Sequence, residues 1–124
     1  MRTFLFALPL VLLACTTPST GVTALPPDAF SARISHKAQL IDVRSAGEFG
    51  SGHLAHALNL DWSSGELEAN STKLDKSRPV LLYCASGRRS AAANEYLRAN
   101  GFTDVVDLEG GITAWRSAGL PLEK

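Results

Sequence analysis

Cysteine is scarce in this chain: its 124 residues carry two, Cys15 and Cys84, with three histidines and one methionine. The Cys and His spacing suggests no metal site, His36 and His56 stand isolated, and no cofactor is implied. Charge of one sign is also missing. Twelve basic side chains face twelve acidic ones, for a formal net charge of zero. No global field recruits nucleic acid, so any preference for anions has to be local. Long apolar runs are absent as well, since Phe4 to Ala14 is too short to span a bilayer as a helix. There is no internal repeat and no low-complexity segment apart from the stretch Thr16 to Pro27, rich in Thr, Ser, Pro and Gly.

What is present divides the chain. A basic Met1-Arg2-Thr3 followed by an apolar segment and the small residue Ala14 reads as a secretory signal peptide over residues 1–14. Leu12-Leu13-Ala14-Cys15 resembles the lipobox of bacterial lipoproteins. That resemblance implies cleavage before Cys15, lipid attachment at Cys15, and an exported protein held to a membrane on the periplasmic side. Thr16, where an Asp is associated with inner-membrane retention, points to the outer membrane. The alternative is an ordinary signal peptide cut near Ala14 or later. Residues 15–21 then form a tether, and residues 22–124 one compact domain. Two Cys in an exported protein ordinarily suggest a disulfide. With Cys15 taken by lipid, Cys84 is the one thiol left, and an exposed thiol in an oxidising compartment is a liability unless it is used.

Along the domain, apolar strand-like runs alternate with helical patterns. Val22 to Leu25 reads as a short edge strand, and Pro27-Asp28 opens a helix to Ser35 with Phe30 and Ile34 on one face. Ala38 to Val43 reads as a second strand. Ser45 and Glu48 have capping-box spacing, which starts a short helix carrying Phe49. A third strand is expected near Ala57 to Leu60, and Ser63 with Glu66 repeats the capping-box spacing before a helix from Gly65 to Ser71. Lys73 to Arg78 is a charged connection. Pro79 to Tyr83 suits a strand buried on both faces of a parallel sheet. Ser90 to Asn100 is helical, with Ala92, Tyr96 and Ala99 on one side, Ala93 and Leu97 beside them, and Asn100-Gly101 as its stop. Asp104 to Asp107 is the last strand, and Gly110-Gly111 turns into a helix with Ile112 and Trp115 facing in. Alternation of this kind implies an α/β fold with a parallel sheet.

Cys84 stands at the carboxyl end of the most apolar strand, where such sheets place their ligands. Ala85, Ser86, Gly87, Arg88 and Arg89 follow before the helix. Loop amides, a helix N-terminus and guanidinium groups all favour a thiolate, bringing a Cys pKa from about 8.5 into the range of roughly 3.5 to 7.5. A fall to about 6.5 raises the thiolate fraction at neutral pH about 25-fold, but reduced nucleophilicity takes back roughly 6- to 10-fold. The larger use of such a cradle is to hold an anionic substrate or a charged sulfur intermediate. Asp42 and Arg44, at another strand end, read as structural support, with Asp42 accepting loop N–H bonds and Arg44 pairing with Glu48. His53 reads as a buried hydrogen-bonding residue, Trp62 as a rim aromatic and Trp115 as core.

Four stretches together resemble the rhodanese family. Leu40-Ile41-Asp42-Val43-Arg44, then Glu48-Phe49 with Gly52-His53-Leu54 and Ala57, are similar to its first signature. Cys84-Ala85-Ser86-Gly87-Arg88-Arg89-Ser90 resembles its active-site loop, and Gly110-Gly111-Ile112 with Trp115 and Gly119-Leu120-Pro121 its closing segment. The resemblance implies a five-stranded parallel sheet flanked by helices on both faces. It also implies a sulfurtransferase in which Cys84 takes sulfane sulfur from a small anionic donor such as thiosulfate, becomes a persulfide, and passes sulfur to cyanide, a thiol or a thioredoxin-like protein. Amides of Ala85 to Arg89 would cradle the persulfide, and Arg88 and Arg89 would attract the donor. The alternative is a sulfur-carrier or partner-binding module with little turnover. Phosphatases and arsenate reductases of the same fold use a Cys-x5-Arg loop; here the sixth residue after Cys84 is Ser90, and Arg89 comes fifth, the shorter loop suited to sulfur.

Overall fold

The computed structural model describes residues 23–124, so the leader, Cys15 and the tether lie outside the described residues. The elements run β1 (Ala24–Leu25), α1 (Pro27–Arg33), β2 (Gln39–Asp42), α2 (Ala46–Gly50), β3 (Leu58–Asn59), α3 (Glu66–Asn70), β4 (Val80–Tyr83), α4 (Arg88–Ala99), β5 (Val105–Leu108) and α5 (Gly111–Ser117), with a 3-10 turn at Ser71–Lys73. The five strands form one sheet in the order β1-β5-β4-β2-β3, and every pairing is parallel. Its central strand, β4, is buried at all four positions, as a strand covered on both faces should be.

Side chains alternate across the sheet with period two, and this sorts the core into two layers. Val80, Leu82 and then Cys84 point to the side of α3 and α4, with Leu67, Ala93 and Leu97. Leu81 and Tyr83 point to the other side, with Phe30 of α1 and Ile112 and Trp115 of α5. Trp115 is core as expected, and its Nε1–H donates to the Pro121 carbonyl at 2.9 Å. Trp62 is half-buried and tilts against Tyr96, 5.7 Å between ring centroids.

Local chemistry decides where several elements begin. The Ser45–Glu48 capping box forms at α2. At α3 it does not: the N-cap is Gly65, with φ +83° and no side-chain cap. Ser63 thus lies outside the helix, and Glu66 accepts instead from the Asp61 N–H at 3.1 Å. Helix α4 starts at Arg88 rather than Ser90, because Gly87 at φ +103° turns the chain into it two residues earlier. Its buried face also differs from the expected one. Ser90, Ala93, Asn94 and Leu97 face the sheet, while Tyr96 is half-buried and Ala99 exposed. Two polar residues replace alanines there because they have partners: Asn94 Nδ2 donates to Asp107 Oδ2 at 3.2 Å and to the Val105 carbonyl at 3.3 Å, and Ser90 Oγ donates to the Gly87 carbonyl at 3.2 Å. His36 and His56 are not isolated either. Both line a cavity of about 490 Å³ with Ile34, Ser35, Ala38 and Leu40, none of them in the Cys84 loop.

Candidate active site

Cys84 follows β4 directly, and the loop from Ala85 to Gly87 folds back over it before α4 begins. The residue is only 1% exposed. The open thiol expected from the strand-end position is therefore a covered one, because the loop wraps the sulfur instead of leaving it at the surface. The Gly87 N–H donates to Sγ at 3.0 Å. With no side chain capping α4, the sulfur itself serves the unpaired amides of the helix N-terminus. Burial alone pushes the Cys84 thiol up; the amide and hydroxyl of Ser90, followed by the amides of Gly87 and Ser86, outweigh it, and the pKa is lowered.

The loop amides point inward because its carbonyls are occupied on the other side. Ile112 N–H donates to the Cys84 carbonyl at 2.9 Å and Thr113 N–H to the Ala85 carbonyl at 3.2 Å, both from the first turn of α5. That approach requires glycine. A Cβ on Gly111, which has φ +61°, would lie 2.5 Å from the Ala85 oxygen and 2.6 Å from the Cys84 oxygen. Gly110-Gly111, read in the sequence as a turn, is also what seats α5 on the loop.

The arginines of the loop differ in their surroundings. Arg89 is engaged in a two-pronged ion pair with Glu48, Nη1 to Oε1 at 2.8 Å and Nη2 to Oε2 at 3.0 Å. Its guanidinium, ahead of the Ser45 amide and hydroxyl, holds the Glu48 carboxyl down at about 2. Arg88 is exposed. Among the described residues, ion pairs form at Arg33, Arg44 and Arg89 and not at Arg88. Ser86 is exposed, and Ala85 and Gly87 are half-buried.

The expected Arg44–Glu48 pair is not formed. Arg44 instead donates to Asp42, Nε to Oδ1 at 3.0 Å and Nη2 to Oδ2 at 2.7 Å, and Nη2 also reaches the Gly52 carbonyl at 2.7 Å. Two residues apart on a turning chain, these groups meet more easily than Arg44 meets Glu48, which Arg89 already occupies. Asp42 does accept a loop amide, that of Arg44, at 2.9 Å. The pair belongs to the far face of the sheet: Asp42 registers with Tyr83, the Arg44 guanidinium lies 5.6 Å from the Tyr83 ring centroid, and the Tyr83 hydroxyl accepts the Leu54 N–H at 3.1 Å. Asp42 and Arg44 thus brace the chain after β2 and leave the sulfur untouched. His53 is half-buried; its Nδ1 lies 3.0 Å from the Phe49 carbonyl and its ring stacks on Phe49 at 3.8 Å.

Sequence reasoning gave no site role to Glu48 or Gly111, and Ser90 entered only as the last residue of the stretch resembling the active-site loop. Ser90 and Gly111 could have been marked by their places at the starts of the two helices that meet over Cys84. Glu48 was hidden by its capping-box role, which it performs at the same time.

Comparison with known proteins agrees with this geometry. Residues 26–118 match the family described as "Rhodanese-like domain". A Bacillus subtilis protein described as "Uncharacterized protein YqhL" is 44% identical over 79 residues, 64% of this chain; the chain spans 61% of that protein's length. A "Thiosulfate sulfurtransferase GlpE" of Pseudomonas savastanoi is 34% identical over 98 residues, covering 79% of this chain and 91% of that one. A crystal structure of a rhodanese-related protein from Thermoplasma volcanium superposes with a TM-score of 0.74 at 32% identity, covering 82% of this chain and 97% of the other. A parallel sheet of this order, a cysteine cradled beyond its central strand, and a match across nearly all the described residues place the chain in the rhodanese-like domain family.

Proposed function

We propose that the protein is a thiosulfate sulfurtransferase that works through a Cys84 persulfide. The observation that carries this reading is the cradled sulfur: buried, yet held toward the thiolate by the amides of Ser86, Gly87 and Ser90. In the first step the Cys84 thiolate attacks the outer sulfur of thiosulfate. A new S–S bond forms to Sγ, the sulfane–sulfonate S–S bond breaks, and sulfite leaves with the electron pair. In the second, cyanide or a thiolate attacks the outer sulfur, the persulfide S–S bond breaks, and its electron pair returns to Sγ. The loop amides of Ala85 to Arg89 stabilise the negative sulfur at both stages. Arg88 draws in the dianionic donor, while Arg89 holds the loop against α2 through Glu48.

Intact mass before and after thiosulfate, with Cys84→Ser alongside, tests the reading. The wild type should gain one sulfur atom, lose it to cyanide and yield thiocyanate; Cys84→Ser should gain none. Sulfur gained but not turned over would favour the carrier module, to which the close cover over Cys84 lends some weight. A gain surviving in Cys84→Ser would sink the assignment of the site.

Export and lipid anchoring at Cys15 are proposed on the sequence alone, since those residues lie outside the described part. Cys15→Ala should move the protein from the membrane to the soluble fraction, and a wild type that is already soluble would refute the anchor.

A further inference from the structure

The charges of the described residues are segregated along the strand direction. All five strands are parallel, so the connections that lead into them share one end of the sheet, and the Cys84 loop lies at the other. Residues 34–38 and 71–79, which lead into β2 and β4, carry Lys37, Lys73, Lys76 and Arg78, all exposed, with Asp75 as their one acid. Arg33 and Asp104, also at this end, pair with each other at 3.0 Å. At the opposite end the charges are mostly acidic. Asp28, Asp61, Glu66 and Glu109 stand there against Arg88, since Arg89 is taken by Glu48.

The basic groups form one surface. Arg78 Nε donates to the Lys37 carbonyl at 2.9 Å and its Nη2 to the His36 carbonyl at 3.3 Å, which joins the two connections without neutralising the guanidinium. Gln39 ties them again: its Nε2 donates to the Asp75 carbonyl and its Oε1 accepts the Asp75 N–H, both at 2.8 Å. The Lys76 ammonium lies 5.8 Å from the ring centroid of Phe102, in the connection that leads into β5. Asp75 is turned to Ser77, whose amide and hydroxyl donate to its Oδ1 at 2.9 and 2.6 Å. Among the described residues no carboxylate pairs with Lys37, Lys73, Lys76 or Arg78. Four cations against one carboxylate leave three positive charges on this face of a chain whose formal net charge is zero.

The course of the chain says what this face meets. β1 begins at Ala24 and runs parallel to β5, so the chain enters the domain at the basic end. Residues 16–22, seven in all and none of them charged, separate that entry from Cys15; even fully extended they reach at most about 25 Å. An anchor at Cys15 holds this end, and not the Cys84 loop, within that distance of a lipid surface. We propose that the basic end is a docking face for an anionic phospholipid membrane, with Lys37, Lys73, Lys76 and Arg78 against the headgroups and the Cys84 loop directed away from the bilayer. Each such cation near an anionic surface strengthens binding about fivefold. The choice of lipid as the partner rests on the anchor proposed at Cys15, while the charge pattern does not. Nucleic acid, the other polyanion a basic face could meet, is less well served: Phe102, the ring beside Lys76, is buried and offers no platform for base stacking.

The test uses the Cys15→Ala protein, so that binding owes nothing to an attached lipid. Co-sedimentation at low salt is compared for vesicles of phosphatidylcholine alone and of phosphatidylcholine with phosphatidylglycerol at roughly 2:1. The ratio of the two partition coefficients is read, and apolar insertion common to both cancels in it. The ratio should be on the order of 100-fold for three net charges and shrink as salt is raised. It should fall about fivefold in each of Lys37→Gln and Lys76→Gln, made in the Cys15→Ala background. Arg88→Gln in the same background removes an equal charge from the opposite end and should leave the ratio unchanged. Equal partition into the two kinds of vesicle overturns the proposal, and so does an equal loss in Arg88→Gln. Lysine-dependent binding that is tighter to a duplex oligonucleotide than to the anionic vesicles assigns the face to nucleic acid and overturns it as well. A wild type that is already soluble refutes the anchor alone, and the vesicle ratio still decides the docking face.

Discussion

Arg88 and Arg89 are adjacent, but the ion pair to Glu48 separates their roles. Arg89 is fixed by two hydrogen bonds to a carboxylate, so much of its charge is neutralised locally, whereas Arg88 stands exposed beside the loop. Arg88→Ala should therefore raise the KM for thiosulfate by about 3- to 10-fold at low salt, with the difference shrinking as salt screens it. Its melting temperature should stay at the wild-type value. Equal KM values at low salt would remove Arg88 from donor capture. Arg89→Ala should instead damage kcat and loosen the loop, although the partly exposed pair itself contributes only about 0.2–1 kcal/mol to stability. Glu48 has its folded pKa depressed to about 2 from 4.5, so its stabilising effect is present above 4.5 and lost only as pH falls through about 2. An acid limb of activity above pH 4.5 thus belongs to the Cys84 thiolate, whose pKa is lowered, and not to Glu48. Glu48→Gln should leave that limb where it is, and a shifted limb would contradict the assignment.

The cradle depends on two helix starts meeting, α4 turned in by Gly87 and α5 seated by Gly111. Gly111→Ala puts a methyl group on the carbonyls of Ala85 and Cys84 at 2.5–2.6 Å, in a left-handed conformation. The loop must move, and its amides turn away from the sulfur. Sulfur loading should fall by at least about 100-fold, as for loss of aligned anion donors, while far-UV circular dichroism keeps its helical signal. Normal loading in that variant would mean that α5 does not shape the loop. The elements themselves were largely legible because β2, β4 and β5 are apolar runs between glycine and polar stops, a pattern fixed by local sequence. What was not legible depended on contacts across the fold. Ser45–Glu48 and Ser63–Glu66 have the same spacing, but only the first becomes a capping box, since Gly65 starts α3 two residues beyond Ser63. On α4, alanine and tyrosine looked like the inner face, and Ser90 and Asn94 lie there because Asp107 and the β5 backbone offer them partners. The Cys84 loop was readable as a motif; the acid behind it, 23 positions along the chain, was not.

Over the whole molecule, the sheet separates two buried carboxylates and gives them opposite effects on stability. Asp42 faces the α1 and α5 layer and is matched there by the Arg44 guanidinium, an Arg44–Asp42 pair with side chains 4% and 0% exposed. Asp42→Asn leaves that cation buried with a neutral partner and should destabilise the fold by about 3–5 kcal/mol. Asp107 faces the α4 layer with one oxygen unpartnered. Its folded pKa is raised to about 6 from 3.8. A group raised in the folded state contributes its stability below the unfolded pKa and loses it as pH rises through the folded value, here between about 3.8 and 6. Above that window the ionised Asp107 works against folding by at most about 3 kcal/mol. Asp107→Asn keeps the shape and removes the charge, so at pH 7.5 it should melt several degrees higher than the wild type, at roughly 4–8 °C per kcal/mol for a domain of this size. The gap should close as the pH is lowered to about 4, where Asp107 is protonated in both states. A gap that stays constant across this range would mean that the carboxylate is solvated or paired.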